Sequence, residues 1–112
     1  MLTLLFLKHF YIDFVNQTQE EVNRKGIFGD LIGIGHSVKH GLLTFAIILA
    51  YVNPLTALTI SIIEIIIHYL TDWTKMNYGC KDINDRKFWV HLGLDQLVHS
   101  LTYINIYLYI TQ

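Results

Sequence analysis

Histidine and aspartate recur in this chain at a spacing of four: His9 and Asp13, His36 and His40, His68 and Asp72, Asp95 and His99. Residues four apart lie one turn apart on the same helix face, so each pair offers two ligand-type side chains in one direction. Neutral imidazole and carboxylate bind zinc, iron or manganese, and the set of five imidazoles and three carboxylates suits two divalent ions. Zinc is the first expectation, with iron or manganese the alternatives. Carboxylate and histidine one turn apart on facing helices is also how soluble di-metal bundles build their cores. A structural hydrogen-bond network is the competing reading of the same residues.

Glu64 stands one turn before His68 on the face it shares with Asp72. Its position suits a general base, a third carboxylate ligand or a partner for Lys8, with base or ligand favoured. Gln17, Ser37 and Gln96 are placed to orient ligands from behind. Lys8 and Lys39 are expected to snorkel or to pair with a carboxylate, and His91 to sit near an interface. Cys80 reads as a loop thiol, and Tyr103 to Tyr109 as packing or lipid-facing surface.

The pairs are also related to one another. His68 follows His9 by 59 positions, and the same offset separates Asp72 from Asp13, Asp95 from His36 and His99 from His40. A repeat in polar pairs and hydropathy predicts two duplicated helical hairpins, residues 1–53 and 54–112. Leu5 stands where the repeat would place a mate for Glu64.

The elements that must carry these residues are apolar. The 112 residues leave room for one domain, and 53% apolar against 15% charged residues is a membrane composition. No charge falls between Lys39 and Glu64 or after Asp95. Such gaps are long enough for a hydrocarbon core of about 30 Å, which takes roughly 20 helical residues. We therefore expect an all-α, integral membrane four-helix bundle with spans at about residues 2–20, 31–52, 54–76 and 88–111. The first helix is read as continuing through Arg24 and as retained rather than cleaved as a signal peptide. Asp30 and Asp85 are cap candidates, and Asn53-Pro54 ends one helix and starts the next. Gly33, Ser37 and Gly41 form a small-residue face that admits a close neighbour.

Arg24 and Lys25 lie in one connection and Lys75, Lys81, Arg86 and Lys87 in another, while the Asn53-Pro54 turn has none. The positive-inside rule puts both long loops in the cytoplasm and both termini outside, with Trp73 and Trp89 as an interfacial belt. The paired residues then share a layer on the order of 5 to 17 Å inside the cytoplasmic boundary. One cysteine excludes an internal disulfide and a C-x-x-C site, and a net charge of −1 leaves no nucleic-acid footprint.

Four motifs in order, His9-x-x-x-Asp13-x-x-x-Gln17, His36 with His40, His68-x-x-x-Asp72 followed by Lys75, and Asp95-Gln96-x-x-His99, resemble an uncharacterised family of small four-span membrane proteins of bacteria and phages. More distantly the layout is similar to the membrane-bound metal-dependent hydrolases, whose Thr-His-Ser stretch Gly35-His36-Ser37 matches in part. The resemblance implies a bacterial protein, a bound metal and hydrolysis; the loop charges place it in the cytoplasmic membrane, and a site nearer the cytoplasm suits a small-molecule or lipid-linked phosphorylated substrate. Oligomers are compatible with it. Transit of a divalent ion or protons, haem binding through paired histidines, and a non-catalytic membrane factor with a structural metal are the alternatives.

Overall fold

A computed structural model describes residues 1–112 and contains helices only. α1 (Leu2–Phe10) runs into a π-helical turn, Tyr11–Asn16; α2 (Gln19–Arg24) is short; α3 (Leu31–Ile48), α4 (Pro54–Tyr78) and α5 (Arg86–Ile110) are long. The expected all-α class is met, and two helices, α3 and α4, are long and apolar enough to cross a membrane. α1 and its π turn contribute only 9 and 6 residues, and the 25 residues of α5 include Arg86, Lys87 and Asp95.

The first helix does not continue to Arg24. Gln17 is extended at φ −63°, ψ 124°, and Thr18 caps a new helix. The cause is local: the Glu21 N–H donates to Thr18 Oγ1 at 3.1 Å while the Thr18 N–H donates to Glu21 Oε2 at 2.8 Å. This reciprocal capping box satisfies N–H groups at the start of a helix, so it competes with an uninterrupted one. Burial would raise the Glu21 carboxyl, but Lys39 and the Thr18 N–H outweigh it and hold the group below the usual carboxylate range.

The other boundaries follow their caps. Asp30 accepts from the N–H groups of Ile32 and Gly33, Asn53 from Thr56 with Pro54 at the first turn, and Asp85 from Lys87. α3 stops at Ile48, short of residue 52, and its last turn loosens into the Asn53-Pro54 connection.

α3 packs most extensively on α4, while α5 leans on α4 and α1, and α1 and α2 both rest on α3. Gly41 permits the central contact: a Cβ there would overlap the Ile65 side chain and lie 3.2 Å from the Ser61 carbonyl. Gly33 lets the end of α2 approach α3, since its Cβ would stand 2.9 Å from Lys25 Cα and 3.0 Å from the Arg24 carbonyl oxygen. An apolar cluster of Leu5, Ile48, Ala57, Tyr103 and Ile106 closes the end near the Asn53-Pro54 turn. The rest of the interior is polar. Of 23 buried residues, 15 are polar or charged and 6 hydrophobic, while Leu31, Leu42, Leu55 and many like them lie outside.

The packing predicts that Gly41→Ala lowers unfolding stability by about 1–3 kcal/mol through overpacking. Gly35→Ala, whose Cβ meets nothing within 4 Å, should instead raise it by up to about 1 kcal/mol through helix propensity. Thermal unfolding of the two variants checks this, and equal effects would count against the α3–α4 contact.

Candidate metal centre

Each helix buries one stripe, and the stripes carry the paired residues. α1 and its π turn bury Leu5, Lys8, His9, Ile12 and Asp13; α3 buries His36, Ser37 and His40 between Gly33 and Gly41, and Thr44 beyond them. α4 buries Glu64, His68 and Asp72, and α5 buries Asp95, His99 and Tyr103. All eight expected ligands are thus brought into one interior.

Six of the eight converge in two overlapping groups. Asp13, His36, His40 and His68 form one, and His68, Asp72 and His99 the other; within each group one ligand atom per residue lies within 4.8 Å of the rest. Asp13 Oδ1 is 3.0 Å from His36 Nε2 and 2.8 Å from His40 Nε2. Asp72 Oδ2 is 3.2 Å from His68 Nε2 and 3.5 Å from His36 Nε2, and its Oδ1 is 3.4 Å from His99 Nε2. The Nε2 atoms of His36 and His68 face each other at 3.4 Å. This buried cluster can hold a metal ion.

His9 and Asp95 flank these groups. His9 Nε2 lies 3.3 Å from Asp13 Oδ2 and 2.9 Å from Gln96 Oε1, and its Nδ1 is 3.1 Å from the Tyr103 hydroxyl. Asp95 Oδ1 lies 3.3 Å from His99 Nε2, and its Oδ2 accepts from Lys75 at 3.3 Å and from Gln96 Nε2 at 3.0 Å. Gln96 therefore links the two flanking ligands, as expected of an orienting residue. Gln17 orients neither carboxylate: its amide donates to the Asp13 carbonyl and accepts from Lys25.

Hydrogen bonding leaves part of the cluster unsatisfied. Both Asp72 oxygens, Asp95 Oδ1 and His99 Nε2 are buried without a hydrogen-bond partner although nitrogens and oxygens of the cluster stand close by. Unpaired buried polar atoms cost about 1–3 kcal/mol each, and more when charged. A central cation satisfies such atoms together, because it needs neither a hydrogen nor a linear angle. The donor set of imidazole and carboxylate fits a divalent transition metal.

Glu64 lies outside both ligand groups and binds Lys8, the third of its expected roles. Lys8 Nζ is 2.5 Å from Glu64 Oε1 and also donates to the His40 carbonyl at 3.1 Å and the Tyr103 hydroxyl at 3.0 Å. Glu64 Oε2 has no partner. Lys39 pairs with Glu21 and donates to Asn16 Oδ1 at 2.9 Å, and His91 Nδ1 accepts the Cys80 N–H at 2.8 Å. Tyr103, 1% exposed, takes the packing role of the two that were open to it. It continues the Asp95, His99 ladder by one more turn, which is a signal the sequence contained. Lys25, read only as a loop charge, is buried with its Nζ 3.5 Å from Asp72 Oδ2. No local spacing announces it.

An all-α protein whose helices enclose a buried His/Asp cluster is the class that fold and site define. The whole chain, residues 1–112, matches the family described as Protein of unknown function (DUF3307), and the chain belongs to that family. A match along the full length to an uncharacterised family agrees with the resemblance to one. No curated protein and no solved structure matches the chain.

The Lys8–Glu64 pair yields a test. Lys8→Met leaves Glu64 buried without its counter-charge and should cost about 3–5 kcal/mol of stability. Lys8→Met combined with Glu64→Gln should recover most of that loss, as measured in a double-mutant cycle. Additive losses would mean that the pair does not act as a unit.

Proposed function

We propose that this chain is an integral four-helix membrane protein carrying a dinuclear metal centre near its cytoplasmic side. In this reading the centre hydrolyses a phosphorylated or lipid-linked substrate. The observation that carries the metal is the unpartnered set around Asp72 and His99, where ligand atoms converge without hydrogen-bond alignment. The bilayer is supported by the inverted distribution of side chains, with ionisable groups inside and leucine and isoleucine outside. α1 with its π turn and α5 then complete four spans beside α3 and α4, and the basic loops face the cytoplasm.

Asp13, His36 and His40 would hold one ion and Asp72 and His99 a second, with His68 Nε2, which binds a single ion, completing one of the two sets. Divalent ions there would supply Lewis acidity and lower the pKa of an attacking water toward neutrality. Zinc stands first for this donor set, with iron or manganese next. Glu64, one turn from His68 and held by Lys8 through one oxygen only, keeps its other oxygen to move a proton.

Transit of an ion is the competing use of such residues, and Lys8 weighs against it. Its ammonium, tied to Glu64, Tyr103 and the His40 carbonyl, fixes a positive charge beside the cluster toward the Asn53-Pro54 end. Glu64 offsets that charge, so what an ion leaving in that direction would meet is the hydrogen-bonded group itself.

The purified protein should contain bound transition metal by elemental analysis. His68→Ala removes the ligand common to both groups and should lose most of the metal and lower the unfolding midpoint, whereas His91→Ala should keep both. With zinc or manganese added, wild type should cleave a phosphomonoester, phosphodiester or lipid pyrophosphate and His68→Ala should not. Metal-free wild type of unchanged stability would sink the metal, and metal flux without hydrolysis would favour transport.

Orientation has its own check at Cys80, a free thiol in the α4–α5 connection. A membrane-impermeant thiol reagent should label it only after cells are opened. Labelling of intact cells would invert the topology.

A further inference from the structure

α4 and α5 do not close on each other along their length. Between them lies a cavity of about 730 Å³ walled by Leu55, Ile60 and Ile63 on one side and Leu101 and Ile106 on the other. Glu64 lines it too, about 14 Å along the helix from Leu55.

Three side-chain donors of this groove are spent on their own helices, and its other neutral polar side chains, Thr56 and Tyr109, are not buried. Thr59 Oγ1 donates to the Leu55 carbonyl at 2.9 Å, Thr102 Oγ1 to Val98 at 2.9 Å and Asn105 Nδ2 to Leu101 at 2.8 Å. Glu64, 2% exposed, is different: Lys8 holds Oε1, and Oε2 has no partner. The groove thus presents apolar walls and one buried acceptor.

That combination selects a ligand. Its body must be hydrocarbon, and its polar end must bring a donor. Phosphate or carboxylate would face the charge of Glu64 itself, and an ammonium would set a second cation beside Lys8. A neutral hydroxyl meets the requirement. We propose that the α4–α5 groove binds the chain of a long-chain alcohol whose hydroxyl donates to Glu64 Oε2.

Under the hydrolase reading on which this rests, such an alcohol is the product released from its phosphate monoester, and the groove takes its chain and free hydroxyl once the phosphate has left. The phosphorus–oxygen bond to the lipid breaks and the oxygen of water bonds to phosphorus. One proton of that water ends on the lipid oxygen and the other stays on the released phosphate. Glu64, ionised opposite Lys8, has no proton to give in this step, and its Oε2 accepts from the hydroxyl so formed.

The test uses the full-length protein in detergent and hexadecanol carrying a diazirine near mid-chain. Irradiation should label residues of the groove, such as Ile60, Ile63 and Leu101. Unlabelled hexadecanol should compete roughly tenfold or more better than hexadecane, the margin of one hydrogen bond to a charged acceptor. Equal competition by the alkane, or labelling spread over outward leucines such as Leu4 and Leu42, would overturn the proposal. Chelator-treated protein should label in the same way, because Glu64 lies outside both ligand groups. Groove labelling without any phosphoester cleavage would retain the alcohol site and remove the hydrolase. Cleavage of a soluble phosphoester with diffuse labelling would do the reverse.

Discussion

Ionisable side chains withdrawn from water must neutralise one another, and that requirement shapes the interior of this protein. Asp13, Glu64, Asp72 and Asp95 are all buried, and Lys8 and Lys25 are buried among them. Each carboxylate has a nitrogen within 3.5 Å: imidazoles around Asp13, Lys8 at Glu64, Lys25 at Asp72, Lys75 at Asp95. A lone buried charge costs several kcal/mol, so the helices are stable only in the arrangement that keeps these partners together. The paired residues therefore constrain helix rotation as strongly as an apolar core would.

The same interior divides into two regions of different character. Around His36, His68, Asp72 and His99 the contacts are many and poorly aligned as hydrogen bonds, which is the environment of a cation. Around Lys8 the contacts are directional, with Glu64, Tyr103 and the His40 carbonyl each taking a bond from one ammonium. His40 belongs to both regions, since its Nε2 meets Asp13 while its Nδ1 lies 3.3 Å from Lys8 Nζ. A change at Lys8 is thereby felt by a candidate ligand without any contact to the ion itself.

The π turn at Tyr11–Asn16 belongs to this economy as well. π-helical turns are rare and are frequently found at functional sites. Asp13, which supplies the carboxylate of the larger ligand group, sits inside it. The break at Gln17 then frees α2 to rest on α3, and Lys25, just beyond α2, turns inward to Asp72.

Which face each helix would bury was legible in the sequence, because spacing within one helix is fixed by 3.6 residues per turn. The four pairs, the extra turn at Glu64 and the caps at Asp30, Asn53-Pro54 and Asp85 all follow from that rule and from local hydrogen bonding. Periodicity says nothing of how far one helix slides or rotates against another. Only the tertiary structure decided that His9 and Asp95 stand at the flank of the cluster, that Glu64 meets Lys8, and that Lys25 reaches Asp72 from a loop. The stop after Asn16 was in principle local, since Thr18 and Glu21 spell a capping box. The polar residues after Asn16 are themselves good helix formers and favour continuation, whereas in the folded chain α2 gains burial of Glu21 and its contact with Lys39 on α3 by turning away.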